Sequence, residues 1–513
     1  MKRNLLFIIA CLIYTFAFGQ GEMDAYRYSS SDLSGTARGQ AMGGAFGALG
    51  GDMTGVSINP AGIGIYRSSE VVANMSITSP IINDKTIQES NTTFHFDNLS
   101  YVGYYPLVKG SMLNLNFGFN YSRVKSFEQR YSASQKNMKS SLTDYIVGLT
   151  DGVHHGIWNG NSDSYYSNPD LYWLSILAWD GYLINEKKNT NNKYESILKE
   201  NEQVSPSLKV SEKGKIETYD FTIGSNVSNV FYWGATISIT DLAYLMTSSY
   251  EEHFLGDGGS FKLNNYLETK GGGIQLKTGV ILRPTDAIRL GLAYHSPVWY
   301  TMTDYYQAYI NPNLTPRGIN NAGLTETPNS SLNYYFRTPG SLTFSIATVL
   351  GTQAILSFDY ENKNYASMNL KDNDGNDWKN VNKIISEDYK NTSTIRTGVE
   401  FRFTPQFSGR AGYVWSQNPY RQNITSTGEV VVPAGTVPHY TLSNCATYLT
   451  TGFGFRFTPQ FYGDFALVYR TQNDDLYYFP PVDVKITGFD PDSYGGTFSN
   501  KSLKGLFTLG YRF

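Results

Sequence analysis

Over most of this chain, apolar residues alternate strictly with small or polar ones. In 113–122, Leu113, Leu115, Phe117, Phe119 and Tyr121 alternate with Asn114, Asn116, Gly118, Asn120 and Ser122. In 395–403, Ile395, Val399, Phe401 and Phe403 alternate with Arg396, Gly398, Glu400 and Arg402. Phe453, Phe455 and Phe457, and the final run Leu503, Phe507, Leu509, Tyr511 and Phe513, repeat the pattern. Side chains of an extended chain point to opposite faces in turn, so each segment reads as a strand with one greasy and one wettable side.

A soluble sandwich shares that alternation, and the connections separate the two folds. Short links lie near 106–111, 226–230, 283–286, 350–352, 404–406 and 458–460. Long ones span 80–93, 126–214, 254–261, 308–332, 366–389, 417–444 and 474–500. Six short and seven long links join fourteen strands, with both ends of the wall on the short-turn side. Outer-membrane barrels have this plan, and lipid forces the sheet to close because unpaired strand edges cannot be hydrated there. The reading is an all-β transmembrane antiparallel β-barrel over 68–513, with 126–214 as a large external insertion. Phe and Tyr at strand ends suit aromatic girdles. Charged residues make up only 17% of the chain, against about 25% in ordinary soluble domains, and the net charge of −3 excludes a nucleic-acid partner.

The N-terminus supplies export. Lys2 and Arg3 precede the apolar run Leu5–Phe18, and Ala17 and Gly19 are small residues placed for cleavage before Gln20, so 1–19 reads as a signal peptide. Cleavage leaves Cys445 as the single thiol, which rules out an intramolecular disulfide.

Residues 20–67 break the alternation. They are rich in Gly, Ala and Ser, carry Gly43-Gly44 and Asn59-Pro60-Ala61, and include the apolar residues Met42, Phe46, Ile58 and Ile63. Dense small residues let backbone pack on backbone, so the expectation is a compact plug in the barrel lumen. The stretch Ser34–Gly62 (SGTARGQAMGGAFGALGGDMTGVSINPAG) resembles the N-terminal hatch of the FadL/TodX (OMPP1) family of outer-membrane transporters of hydrophobic compounds. The turn Arg283–Asp286 and the pair Thr338-Pro339 are similar to that family as well. The tyrosine- and asparagine-rich composition resembles its Bacteroidetes-like members. The resemblance implies a fourteen-stranded barrel stoppered by the hatch, and passive uptake of long-chain fatty acids or other hydrophobic molecules without an energy-coupling partner. It assigns the hatch motif to Gly43, Gly44, Asn59, Pro60 and Ala61, and makes the neighbourhood of Asn59 a candidate ligand contact. It also implies a lateral exit through a kink in the wall, whose position the pattern does not give.

In the insertion, Pro169–Ile184 (PDLYWLSILAWDGYLI) reads as a helix N-capped by Asn168 with Pro169 at its first position. Leu171, Trp173, Leu174, Leu177 and Trp179 leave it almost no polar face. A helix apolar all round must be buried or must touch something apolar, so it either packs on the barrel rim or forms an external groove for a hydrophobic ligand. Arg289, Arg396, Arg402, Arg456 and Arg512 fall on the inward alternation and could meet a ligand carboxylate or pair with Glu400 or Asp359.

Other signals carry less. His154-His155 lack metal-ligand spacing, and Asp372–Asp377 lacks the distal Glu of a calcium loop. No catalytic constellation stands out, so neither an enzyme nor a cofactor is expected. The expected partners are outer-membrane lipid, a hydrophobic small molecule and, during biogenesis, the barrel-assembly machinery, for a monomer in a Gram-negative-type outer membrane. The alternative is a surface binding protein, haem receptor or adhesin, acting through its external loops.

Overall fold

Fourteen strands close into one antiparallel barrel in the computed structural model, which describes residues 21–81, 92–159, 165–168, 171–190, 192–421, 435–480 and 493–513. The expected cleavage point between Gly19 and Gln20 lies outside these residues. In chain order the wall is β1 (Glu70–Ile81), β2 (Thr93–Pro106), β3 (Met112–Ser126), β4 (Val204–Val227), β5 (Phe231–Phe254) and β6 (Ser260–Leu282). Next come β7 (Ile288–His295 resuming at Trp299–Asn313), β8 (Ser330–Arg337 resuming at Ser341–Leu350), β9 (Ala354–Asn364) and β10 (Asn391–Arg402). The circuit ends with β11 (Phe407–Ser416), β12 (Ala446–Arg456), β13 (Phe461–Tyr477) and β14 (Tyr494–Arg512). Twelve paired registers, Glu70↔Arg512 to Ile81↔Lys501, join β14 to β1 and leave no open edge at that seam. The expected count of fourteen stands, and the short turns fall where the links were shortest. At the short-turn end, Phe401, Phe403, Phe407, Phe453, Phe455, Phe457 and Phe513 face outward as an arc of exposed aromatics over β10–β12 and the end of β14, with several in contact, such as Phe403 with Phe407 and Phe457 with Phe461.

Strands β4, β5 and β6 are 24, 24 and 23 residues long, about twice what a tilted strand needs to cross the bilayer. The excess carries the same period with its polarity reversed. Along β5, Phe231, Ile237 and Ile239 face outward while Thr236, Ser238 and Thr240 are buried on the lumen side. Beyond Ile239 the buried residues become Leu242, Tyr244, Met246, Tyr250 and Phe254, and Asp241, Thr247 and His253 are exposed. Below, the wall meets lipid outside and polar groups inside; above, it meets water outside and its own core inside.

That upper core corrects the boundary of the external insertion. Residues 129–134 pair with β4, whose strand begins at Val204, so both flanks of 126–214 belong to the wall. The remainder folds with the other external segments into a cap containing α4 (Leu142–Thr150), α5 (Trp173–Asp180) and α6 (Lys379–Asp388). Inside the wall, the head of the chain supplies α1 (Glu22–Ser29), α2 (Ala37–Ala41) and α3 (Met53–Ile58). The apolar cap core joins Leu174, Leu177 and Ala178 of α5 to Leu208, Leu242, Leu263 and Ile310 of the wall, and to Met23 and Tyr28 of α1. Burying a side chain such as Leu177 stabilises by about 1.5–3 kcal/mol. α5 is shorter than the helix expected over 169–184. Asn168 donates to Tyr165 O and accepts from Leu171 N in a preceding turn, and Tyr182 at φ +57 prevents continuation past Gly181. Pro169 lies outside the described residues.

Candidate functional site

The head of the chain threads up through the barrel. A 3₁₀ turn at Pro60–Ile65 and helices α3 and α2 occupy the short-turn half. Further up, α1 reaches the cap, where Tyr28 Oη donates to Thr269 Oγ1 and Tyr389 Oη donates to Glu22 O. Glycines on the inward face of the wall make the seat. Gly224, Gly234 and Gly279 are in register on β4, β5 and β6, and a Cβ on Gly234 would come 2.3 Å from Pro60 O. Across the lumen, Gly398 pairs with Gly412, and a Cβ on either would strike the backbone of Met42–Gly43. Gly43 and Gly44 themselves turn the chain at φ +64 and +71, a conformation that L side chains adopt only at a cost.

Polar side chains complete the fit. Asn59 is 1% exposed: its Oδ1 accepts from Ala61 N at 3.1 Å, and its Nδ2 donates to Gly47 O at 2.7 Å and to Val280 O of β6 at 3.1 Å. Its hydrogen-bonding groups are thus spent on the hatch and the wall. Neither it, Pro60 nor Ala61 lines the chamber described below, and among the motif residues only Gly44 does. Asn59 therefore acts as an anchor, while Ser57 and Ile58 beside it do line the chamber. Asp359 of β9 accepts from Phe46 N and Gly47 N, both at 3.0 Å. Arg38 of α2 pairs with Glu400 at 2.9 Å, and Glu400 also takes Arg410, which reaches Asp464. Asp52 caps α3 by accepting from Thr54 N at 2.9 Å and receives the Thr36 hydroxyl at 2.8 Å.

Between hatch and cap lies a chamber of about 640 Å³ whose lining includes nine Lys and Arg against six Asp and Glu. Of the five arginines read as inward-facing, only Arg396 lines it, paired with Glu361 at 2.5 Å. Arg289 donates to Leu49 O, and Arg512 pairs with Glu70. Arg402 and Arg456 are exposed at the short-turn end, where β10 and β12 leave the lumen.

The chamber touches one discontinuity in the wall. β2 and β3 pair from Pro106↔Asn114 only as far as Asn98↔Ser122, yet β2 continues through Thr93–Asp97 and β3 through Arg123–Ser126. A register shift at Arg123/Lys125 bends β3 toward β4, and bulges of this kind bend a strand and end its pairing. Thr93 and His95 on one lip and Arg123, Lys125 and Ser126 on the other all line the chamber. Phe94 and Phe96 of β2 point outward beside the split, 65% and 41% exposed. Its base is bridged by Arg123, whose Nε donates to Asp97 Oδ1 at 2.9 Å and whose Nη2 donates to the same oxygen, with Lys504 at 3.2 Å from that carboxylate and the Phe96 ring stacked on Tyr121 of β3 at 6.0 Å. From inside, Asp32 N donates to Val124 O, and Lys125 Nζ donates to Arg27 O, so the head of the chain backs the bent end of β3.

In the cap, Leu171, Leu174 and Leu177 are buried, whereas Trp173 and Trp179 are partly exposed. Trp179 stacks on Trp158 at 4.7 Å and Trp173 lies 5.1 Å from Tyr306. The three leucines therefore face core, and the two tryptophans are what remains at the surface.

Residues 256–476 match the family described as outer membrane protein transport protein (OMPP1/FadL/TodX), a region distinct from the hatch stretch that first suggested it. A solved FadL homologue from Pseudomonas aeruginosa is 13% identical, with 94% of this chain and 99% of that one aligned at a TM-score of 0.51. The monoaromatic hydrocarbon channel CymD and the Pseudomonas putida toluene transporter TodX are also 13% identical over 94% of this chain and 97% and 99% of theirs, each at a TM-score of 0.49. No curated protein sequence matches.

Proposed function

From the match of residues 256–476 to the OMPP1/FadL/TodX family of outer-membrane transport proteins, we propose that this chain passes hydrophobic compounds from the cell surface into the wall-side chamber and out through the β2/β3 split, without energy coupling. The split carries this reading: it opens off the chamber between strands whose outer residues, Phe94 and Phe96, face lipid. An apolar solute leaving there enters hydrocarbon and avoids the hatch, whose packing against the wall glycines leaves the axial route filled. The cationic surplus of the chamber favours amphiphiles with an acid head, such as long-chain fatty acids, over neutral aromatics, because a charge-assisted bond is about twice as strong as a neutral one. In this reading Trp173 and Trp179, half-buried beside the exposed Tyr172 and Tyr182, form the aromatic contact of the cap for an arriving ligand.

The experiment joins the two lips. In a Cys445→Ser background, Asp97→Cys with Arg123→Cys is bridged by a bifunctional thiol reagent, in cells lacking the unmodified protein. Bridged barrels should lose uptake of labelled oleate while each single variant retains it. Undiminished uptake through a bridged wall would end the lateral route.

A further inference from the structure

Outside the wall, on its extension above the membrane, two neighbouring rows of residues run across five paired strands. Arg130, Ser211, Thr247, Tyr266 and Gln307 form one row. Ser132, Lys209, Ser249, Asn264 and Tyr309 form the next. All ten are exposed or half-exposed, and the sheet curves beneath them into a furrow of about 490 Å³ with no carboxylate among its described lining residues. Acids at its border are engaged: Glu268 accepts from Tyr266 Oη at 2.9 Å and pairs with Lys270, Glu326 accepts from Gln307, and Glu251, in the next outward row, lies 3.2 Å from His253. The lower row lies eight residues beyond Tyr219, Ile239, Ile274 and Trp299, where the outward apolar band of these strands ends. For strands tilted near 40° that is roughly 20 Å above the hydrocarbon.

We propose that this furrow binds the acidic saccharide head of the outer-leaflet lipid surrounding the barrel. This goes beyond the transport reading and uses a surface that, among the ten residues of the two rows, shares only Arg130 with the chamber lining. Tyr266 and Tyr309 offer flat faces with a polar edge, which suit the C–H face of a sugar ring. Ser, Thr, Asn and Gln both donate and accept, as hydroxyl-rich rings require. Lys209 and Arg130 supply charge for phosphate or uronate groups. Tyrosine and arginine also anchor protein interfaces, but serine and threonine are scarce in such centres, and Ser132, Ser211, Ser249 and Thr247 make up four of these ten residues. Acyl tails cannot reach the site, but a saccharide carried on those tails can. The strands that bear the furrow also face the tails below, so the head is delivered at high effective concentration and modest affinity suffices.

The full-length protein in detergent is titrated with acyl-free, phosphorylated core oligosaccharide from rough lipopolysaccharide, with the same material dephosphorylated, and with a neutral glucan. In parallel, retention of intact lipopolysaccharide is read by native mass spectrometry from nanodiscs. The phosphorylated oligosaccharide should bind, Lys209→Gln should weaken it about tenfold, and Tyr266→Ala/Tyr309→Ala should abolish both binding and retention. Heat-modifiable gel migration checks that each variant remains a closed barrel. Equal binding by the tyrosine variant, or equal affinity for the neutral glucan, overturns the proposal. Capture of free oligosaccharide without retention of intact lipid overturns its source. Lys209, Tyr266 and Tyr309 do not line the chamber, so oleate uptake reads the transport proposal separately.

Discussion

Asp359 shows how much a single lumen residue holds. Its Oδ2 receives two hatch amides, and Asp359→Ala leaves both N–H groups buried and unmatched, at about 1–3 kcal/mol each. The expected outcome is a closed barrel with a loosened head, seen as cleavage of the hatch by protease at lower urea than in the unmodified protein. Gly234→Val tests the seat from the other side, since its Cβ would fall 2.3 Å from Pro60 O and overpacking costs about 1–3 kcal/mol. The same protease assay should show a released hatch, and equal resistance would mean the head shifts without loosening. These residues were only half legible in the sequence. Asn59 and the glycine pair Gly43-Gly44 stood out, but their work is anchoring. Asp359 was read as a partner for arginine, and Arg38 was quoted without a role. What could have found the seat is the placement of Gly224, Gly234, Gly279, Gly398 and Gly412 on the inward alternation, where a missing side chain marks a close neighbour.

At the scale of elements, the bent end of β3 and the start of α4 make separate predictions. Asp97→Asn weakens the contact with Arg123 that bridges the split, so oleate uptake should rise severalfold if the lips part more easily; a rate equal to that of the unmodified protein would remove the latch from the mechanism. In the cap, burial pushes Asp144 up to about 6 from an ordinary value of 3.8, opposed by the bond it accepts from Ser141 N. Its folded-state value is raised, so its contribution is fully present below about pH 4 and is lost as pH rises through 6. Protection factors for α4 amides should therefore fall between about pH 4 and 6, in step with that titration, and Asp144→Asn should flatten the profile over that range. The strands of the bilayer zone were readable because one solvent arrangement holds along them. Of their extensions, those of β5 and β6 fall between the links at 226–230, 254–261 and 283–286 and were kept as strand, whereas the start of β4 was read as loop within 126–214, because beyond Tyr219 water replaces lipid outside, the inner face turns apolar, and the alternation changes phase without a break in the backbone. The helix over 169–184 was recognised by its composition, but its ends depend on a turn at Asn168 and a left-handed Tyr182.

For the molecule as a whole, hatch below and cap above enclose the chamber. In planar bilayers the unmodified protein should conduct ions poorly, and deletion of 37–66 should raise conductance toward that of an open porin; an ohmic pore before deletion would contradict the packing of the head. The strand number was legible in the order of short and long links, which reflects a lipid environment that forbids free edges. The fate of the chamber was not legible, because cap and hatch meet across hundreds of residues of separation, as in the contact of Tyr389 with Glu22.

The seam between β1 and β14 has a consequence for biogenesis. β1 follows directly on a head that already lies within the cylinder, and the strand that completes the ring is the last one made. Once that final ladder zips, nothing as bulky as the stopper can be threaded in. The head has therefore to be tucked inside while the two terminal strands are still apart, so that the cylinder closes as a filled cask instead of an empty hoop to be corked later.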